Sequence, residues 1–286
     1  MIVSASRRTD IPKFFAGWFM DRVRAGQCSF PNPFNPKQVL TVSLRPEDVE
    51  VLVFWSKDPR PLLPYLGTLE TAGFRFYFHF TLNGYPQPIE PNVPSLDEAL
   101  AAFVRLSDAL SPERVIWRYD PIILSNLTGP SYHERRFREI ARALKGRTRR
   151  LMVSIVEEYA STRRGFRKLS REGIHVKRCD RDDPELRRLL ATMAEIAMES
   201  GMEIFSCAEP SDLSQLGIRH GKCIDNEYIE RVFGVRVTDK KDPSQRPACG
   251  CVQSRDIGVY GTCRHGCVYC YASHGHILSQ TSSCLS

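Results

Sequence analysis

Short apolar runs recur along the chain, with longer stretches of helical periodicity between them. The runs are rich in β-branched and aromatic residues, which is typical of parallel strands covered on both faces. The predicted strands are Ile2–Ser6, Val49–Lys57, Arg75–Leu82, Arg114–Ile122, Arg150–Val156, Met202–Cys207 and Asp256–Gly261. The predicted helices are Pro12–Ala25, Pro61–Ala72, Ser95–Leu110, Ser131–Lys145 and Pro184–Ser200. Ser95 with Glu98 fits a capping box, and Asp183 fits an N-cap with proline at the first helical position.

This alternation predicts an α/β fold, and more specifically a TIM-like (β/α) barrel, full or partial, with a cysteine loop on its C-terminal strand. An open doubly wound sheet is the alternative. Because no Gly-x-Gly-x-x-Gly and no Walker motif occurs, folds that bind nucleotide phosphates are disfavoured. We expect barrel units over 1–207 and a less regular excursion with its own cysteines over 208–255. Residues 256–286 are expected to form a last strand and a cysteine loop that complete the same domain.

Composition and charge restrict the protein class and its binding partners only broadly. Hydrophobic residues make up 42% of the 286 positions, and no stretch is long and apolar enough for a membrane span. The N-terminus lacks the order of a secretory signal, so we expect a cytoplasmic protein with no membrane partner. The net charge of +7 is compatible with an anionic substrate or nucleic acid but does not require either. The densest basic stretch, residues 147–171, fits a solvated helix face at least as well as a nucleic-acid surface.

Ten cysteines are many for a cytosolic chain, and most lie in its last third. Clustering of this kind favours metal binding over disulfides. The spacing Cys263-x3-Cys267-x2-Cys270 places three soft thiolates on one tight loop, which is typical of an iron–sulfur cluster or zinc. A zinc site usually takes four ligands, whereas this loop supplies three thiolates, so we predict a 4Fe–4S cluster in which one iron lacks a protein ligand. Alternatively, His265 inside the loop completes a zinc site.

A second group of cysteines consists of Cys207, Cys223, Cys249 and Cys251. Four thiolates suit an auxiliary iron–sulfur cluster or a structural zinc, and scattered reduced thiols are the alternative. The remaining cysteines, Cys28, Cys179 and Cys284, receive no role.

Polar side chains interrupt or follow the predicted strands at the end where barrels gather their chemistry. The candidate catalytic residues are Arg118, Asp120 and His79, because charged or polar groups inside apolar strands are costly unless paired or functional. Glu157, Arg7 and Arg8 are candidates for cofactor or substrate contacts. The alternatives are an Arg–Asp pair that plugs the barrel, a satisfied core histidine and ordinary surface arginines.

The residues Cys263, Cys267, Tyr269 and Cys270 resemble the radical S-adenosylmethionine signature Cys-x3-Cys-x-aromatic-Cys. The resemblance implies a cluster whose open iron binds S-adenosylmethionine, with Tyr269 packing near the adenine. It also implies an electron donor such as flavodoxin or ferredoxin, and a 5′-deoxyadenosyl radical that abstracts hydrogen from an unknown substrate.

The loop lies at the C-terminal end of the chain, whereas in most of that superfamily it follows the first strand. We expect Asp256–Gly261 to lie beside Ile2–Ser6 and to deliver the loop to the same rim, as in a circular permutation. Over its full length the chain resembles an uncharacterised bacterial family, domain of unknown function 1848, whose terminal cysteines are similar to the radical S-adenosylmethionine site. The resemblance rests on those cysteines and on Arg7-Arg8-Thr9-Asp10-Ile11-Pro12, Pro31-Asn-Pro-Phe34-Asn-Pro36 and Trp117-Arg118-Tyr119-Asp120-Pro121.

Two other functions stay open at this point. One is a zinc-stabilised protein that binds nucleic acid through its basic face, with His265 or the pair Cys249 and Cys251 joining the loop cysteines around zinc. The other is an iron–sulfur protein that transfers electrons without cleaving S-adenosylmethionine.

Overall fold

The computed structural model describes residues 1–33 and 35–273 of the chain. Phe34, Cys284 and the predicted last segment beyond residue 273 lie outside the described residues. The strands are β1 (Ile2–Ala5), β2 (Gln27–Asn32), β3 (Asn35–Ser43), β4 (Val51–Ser56), β5 (Phe76–Thr81), β6 (Val115–Ile122), β7 (Arg150–Ile155), β8 (Glu203–Cys207), β9 (Arg219–Gly221) and β10 (Arg255–Asp256). The helices are α1 (Ile11–Phe14), α2 (Ala16–Arg24), α3 (Leu66–Thr71), α4 (Leu96–Leu110), α5 (Pro130–Ala143), α6 (Ala160–Arg171), α7 (Pro184–Glu199) and α8 (Asn226–Phe233).

Eight strands form one parallel sheet in the order β10-β1-β4-β5-β6-β7-β8-β9. The predicted α/β class is confirmed. The sheet is open in the part of the chain described, since β9 and β10 form its two edges and do not pair, so a closed TIM barrel is not formed there. Strands of three and two residues offer few backbone groups for a closing ladder.

The two faces of the sheet are covered differently. On one face Phe54, Phe78, Trp117 and Val153 pack in the core shared with the helices. On the other, which we call the inner face, strand residues such as Val53, Tyr77 and Met152 pack against Ile224, Tyr228 and Val252. Residues 208–255 therefore fill the side of the sheet that the crossover helices leave open.

The sequence predictions agree with the long elements and miss the short or polar ones. Six predicted strands overlap β1 and β4 to β8, and the Ser95–Glu98 capping box and the Asp183 N-cap are both confirmed. The helix predicted over Pro12–Ala25 is wrong in one respect, because it is divided into α1 and α2 at Phe15. The hairpin β2–β3, the helices α6 and α8 and the strand β9 were not predicted.

The last strand is shorter than predicted, because β10 covers only Arg255–Asp256 and residues 257–261 of the predicted strand Asp256–Gly261 are not in a strand. Glycines at 258 and 261 disfavour a longer strand. The predicted position beside β1 is confirmed. β10 pairs in parallel with β1, and Val3 is opposite Arg255 and Ser4 opposite Asp256. The carboxyl ends of the two strands lie at the same edge of the sheet, so the chain beyond Asp256 emerges beside Ser6–Asp10. None of the helices among the described residues is long and apolar enough to cross a membrane.

Candidate functional site

A cavity of about 850 Å³ opens at the carboxyl ends of the strands. Its walls come from the carboxyl-terminal parts of β4, β6, β7 and β8, from the segments that follow β1, β4, β7 and β8, from the excursion and from the C-terminal loop. All seven cysteines predicted as metal ligands line it: Cys207, Cys223, Cys249, Cys251, Cys263, Cys267 and Cys270. The fold thus brings two distant groups of cysteines to one cavity.

The cysteine loop, Cys263–Cys270, is held by hydrogen bonds to the segment after β5. The Val268 N–H donates to the Ile89 carbonyl at 3.1 Å, and Asn92 Nδ2 donates to the Arg264 carbonyl at 3.0 Å. From the other side, Gly165 of α6 approaches so closely that a Cβ atom there would lie 1.9 Å from the Val268 carbonyl oxygen. The path of the loop is therefore fixed on both sides.

His265 anchors the loop to the segment after β1. Its Nε2 lies 2.8 Å from Asp10 Oδ2, and its Nδ1 lies 3.2 Å from the Asn92 carbonyl. Asp10 also accepts from Ser56 Oγ at 2.8 Å and from the Lys57 N–H at 2.8 Å. Because both ring nitrogens of His265 have protein partners, the arrangement does not favour His265 as a zinc ligand.

The three loop thiols are largely shielded from water. Burial raises the pKa of the Cys263 thiol to about 12, and it raises the pKa values of Cys267 and Cys270 as well. Backbone N–H groups nevertheless point at the sulfurs and favour the thiolate forms: those of His265 and Asp10 at Cys263, and those of Ala272 and Ser273 at Cys270. Sulfur ligands with N–H donors suit an iron–sulfur cluster, whose thiolates each bind a different iron.

Tyr269 belongs to a buried network with Lys57, Glu90 and Asn83. Lys57 Nζ lies 2.7 Å from Glu90 Oε1, and the Tyr269 hydroxyl donates to the same carboxylate oxygen. Asn83 Nδ2 donates to Glu90 Oε1 at 3.1 Å and to the Tyr269 hydroxyl at 3.2 Å. Burial acts to lower the pKa of Lys57, but Glu90 and Cys267 raise it overall, so the ammonium stays charged beside the loop thiols.

The other four cysteines lie in a row in which each thiol contacts the next, and we call them the four-thiol cluster: Cys207, Cys223, Cys251 and Cys249. The Sγ atoms of Cys207 and Cys223 lie 3.1 Å apart, and the Cys251 thiol hydrogen-bonds to those of Cys223 and Cys249. Arg118 Nη1 lies 2.8 Å from Cys223 Sγ, and the same guanidinium forms an ion pair with Asp120.

His79 lies behind the four-thiol cluster and is absent from the cavity wall. Its Nε2 lies 2.7 Å from the Cys223 carbonyl, and its ring stacks on Trp55 at a centroid distance of 4.2 Å. Burial, together with the charge of Arg118, holds its pKa well below the usual value. The geometry is that of a neutral histidine that supports the inner face.

The remaining predicted residues line the rim and are paired there. Arg7 lies over the Trp55 ring at 5.4 Å, and Arg8 Nη1 lies 3.9 Å from Asp256 Oδ1. Glu157 Oε2 is 2.6 Å from Arg246 Nη1. These predicted contacts therefore already have protein partners, which a bound ligand would share or replace.

Sequence reasoning missed several of these partners. Asp256 accepts from Ser6 Oγ at 2.5 Å and from the Arg7 N–H at 2.8 Å, so it ties the loops after β1 and β10 together. A carboxylate inside the last predicted strand was a usable signal for Asp256. Glu90 and Arg246 lie in irregular segments whose paths no periodicity encodes.

Among the described residues, no group of three or more His, Cys, Asp or Glu side chains is placed to hold a metal ion. The loop thiols line one part of the cavity, and the thiols of the four-thiol cluster lie in a row. Their metal ligation stays a prediction.

Comparison with known proteins identifies a family but no activity. The family described as Domain of unknown function (DUF1848) matches residues 2–272, as the sequence predicted. No curated protein matches the chain. A solved structure titled "Crystal structure of a putative alpha-L-fucosidase from Bacteroides thetaiotaomicron VPI-5482" is similar over 81% of each chain, at 12% identity and a TM-score of 0.28. A similarity that weak carries no argument about function.

Proposed function

The chain belongs to the family described as Domain of unknown function (DUF1848), and we propose that it is an iron–sulfur enzyme of the radical S-adenosylmethionine type. The observation that carries the proposal is the pairing of β10 with β1. It brings the Cys-x3-Cys-x2-Cys loop to the carboxyl end of a parallel sheet, beside a cavity of about 850 Å³. A cluster loop at that edge lies next to the strand ends from which α/β enzymes draw their catalytic side chains.

In this proposal Cys263, Cys267 and Cys270 hold a 4Fe–4S cluster with one iron free of protein ligands. When bound, the reduced cluster supplies the electron that cleaves S-adenosylmethionine to methionine and a 5′-deoxyadenosyl radical. The N–H groups directed at Cys263 and Cys270 offset part of the negative charge of the thiolates.

Lys57 contributes a fixed positive charge beside the loop. Glu90 Oε1 lies 2.7 Å from its Nζ and orients it. The charge of Lys57 acts to lower the pKa values of Cys267 and Cys270. A buried ammonium at this position favours the anionic forms of the thiols and of a cluster bound to them.

The rim supplies the contacts for the cofactor and an unknown substrate. We assign these contacts to Arg118, Asp120 and Glu157, which line the cavity together with Arg7 and Arg8. Guanidinium groups suit the carboxylate of S-adenosylmethionine or an anionic substrate, and carboxylates suit its ammonium and ribose hydroxyls. An external one-electron donor such as flavodoxin or ferredoxin completes the system.

Anaerobic purification followed by reduction tests this function. We expect brown protein that contains iron and sulfide and that releases 5′-deoxyadenosine when dithionite and S-adenosylmethionine are added. Cys267→Ala is expected to lose the release, whereas Cys28→Ser, which changes a buried cysteine outside the cavity, keeps it. A protein with an intact loop cluster that releases no 5′-deoxyadenosine would favour the electron-transfer alternative. A colourless zinc protein would contradict both.

A further inference from the structure

We propose that Cys207, Cys223, Cys249 and Cys251 form a second metal centre, a tetrathiolate site for a soft metal that is separate from the cysteine loop. This goes beyond the proposed function and does not depend on it.

The four thiols come from three separate segments that the fold draws together. Cys207 is the last residue of β8, Cys223 follows β9, and Cys249 and Cys251 precede β10. Sulfur-to-sulfur contacts run from Cys207 to Cys223, on to Cys251 and then to Cys249. A row of four neighbouring thiols drawn from three segments is produced by the tertiary fold and not by local sequence spacing.

The cluster lies between the apolar core of the inner face and the cavity. Cys223, Cys249 and Cys251 are buried against Ile224 and Val252, while Cys207 is half-buried at the cavity. All four are free thiols, and the 3.1 Å between Cys207 and Cys223 is well beyond the roughly 2 Å of a disulfide bond.

The charges and donors around the cluster match what four thiolates on a divalent metal need. Such a centre carries net negative charge, and Arg118 donates to Cys223 Sγ at 2.8 Å and to Cys207 Sγ at 3.6 Å. The charge of Arg7 acts on Cys251. The Ile224 N–H donates to Cys251 Sγ at 3.4 Å, and the Cys251 N–H donates to Cys249. Cations and N–H donors directed at sulfur stabilise thiolates, the form that binds metal.

The donor set limits the metal. Sulfur ligands select zinc or the irons of an iron–sulfur cluster, whereas magnesium and calcium require oxygen. Because the described thiols form a row and do not surround one point, metal binding has to rotate cysteine side chains about χ1. Neighbouring thiols in the row already touch, so these rotations need to move the sulfur atoms only a short way.

The test uses a full-length background without the loop cluster, Cys263→Ala/Cys267→Ala/Cys270→Ala. This protein is reconstituted anaerobically in two arms, with iron and sulfide or with zinc alone, and its bound iron, sulfide and zinc are measured. We expect enough bound metal for about one tetrathiolate centre per chain in one of the two arms. The arm in which the metal binds identifies it as iron or zinc. Adding Cys223→Ser should remove it, and adding Cys28→Ser should leave it unchanged.

Cys207→Ser in the same background covers the case in which the buried Cys223 variant does not fold, since Cys207 is only half-buried. This variant should fold normally by circular dichroism and lose at least tenfold in metal retention. The proposal is overturned if the background protein binds no metal in either arm, or if folded Cys207→Ser retains as much metal as its parent. It is also overturned if mass spectrometry finds Cys207 and Cys223 joined as a disulfide in protein prepared under reducing conditions. Because the loop cluster is absent throughout, failure to cleave S-adenosylmethionine does not affect the result.

Discussion

The cysteine loop and the four-thiol cluster face one cavity but are built in different ways. The loop gathers three thiols within eight residues of sequence and is held by contacts to the segments after β1 and β5. The four-thiol cluster collects its members from three segments separated by up to 44 positions, from Cys207 to Cys251. Local spacing therefore defines the first group, whereas tertiary structure assembles the second.

The two groups of cysteines also differ in the charged side chains beside them. The loop has Lys57, oriented by Glu90, whereas the four-thiol cluster has Arg118, paired with Asp120. A loop with three thiols leaves a coordination position for a ligand, while four thiols leave none on a tetrahedral ion. We infer that the loop is the reactive centre and the four-thiol cluster a closed one, and the variants below test whether the two are independent.

The largest effect is expected from Glu90→Gln, which leaves Lys57 without its carboxylate. Both side chains are mostly buried, with exposures of 12% for Lys57 and 3% for Glu90, and breaking a buried pair from one side costs about 3 kcal/mol. Urea unfolding should show this loss, and metal analysis should show less loop iron. The double variant Lys57→Met/Glu90→Gln should recover much of the stability but not the iron. Equal stability of Glu90→Gln and the natural protein would contradict this account of the network.

Gly165→Ala comes next, because it places a methyl group against the Val268 carbonyl oxygen. The overpacking costs about 1–3 kcal/mol and should displace the cysteine loop, although alanine normally stabilises a helix. Gly67→Ala in α3 is the matched control, since nothing lies within 4 Å of the new Cβ. Iron retention should fall in the first variant only, and metal in the four-thiol cluster should fall in neither. Unchanged iron in Gly165→Ala would show that the loop is free to move.

Asp10→Asn should have a smaller effect of about 2 kcal/mol on the free energy of unfolding. The amide places a donor where Asp10 now accepts from Ser56, Lys57 and His265. Loop iron should be lost faster to a chelator, while the four-thiol cluster keeps its metal. Asp21→Asn serves as the control, since Asp21 forms an exposed ion pair with Arg24. Faster metal loss from the four-thiol cluster would mean that the two regions are coupled.

The smallest effect is expected from Arg246→Gln at the rim. Its ion pair with Glu157 is partly exposed, and such pairs contribute less than about 1 kcal/mol. Urea unfolding and the metal content of both centres should therefore be nearly unchanged. A large loss of either metal would show that Arg246 supports a centre directly.

The features that could be predicted from sequence are those set by local patterns, as for the cysteine loop. The apolar runs at Val51–Ser56 and Phe76–Thr81 are long enough to identify strands, and the adjacency of β10 and β1 was predicted from the need to bring the loop to the rim. The loop cysteines could be recognised because their spacing is local.

The rest depends on tertiary contacts that no local pattern records. α6 is so polar that its periodicity was hidden, with Arg163, Arg164, Arg167 and Lys168 exposed and Leu169 buried. The partnership of Glu90 with Lys57 depends on the path of an irregular segment, and the contact between Cys207 and Cys223 depends on how residues 208–255 fold over the inner face.

The most direct test of the central claim is an electron paramagnetic resonance spectrum of the reduced Cys207→Ser/Cys223→Ser protein, recorded with and without S-adenosylmethionine. Of the two cysteine groups that line the cavity, only the loop keeps all its thiols in this variant. We expect the signal of a reduced 4Fe–4S cluster whose g values change when S-adenosylmethionine is added, because the cofactor binds the open iron. A spectrum without a cluster signal, or one that S-adenosylmethionine leaves unchanged, would contradict it.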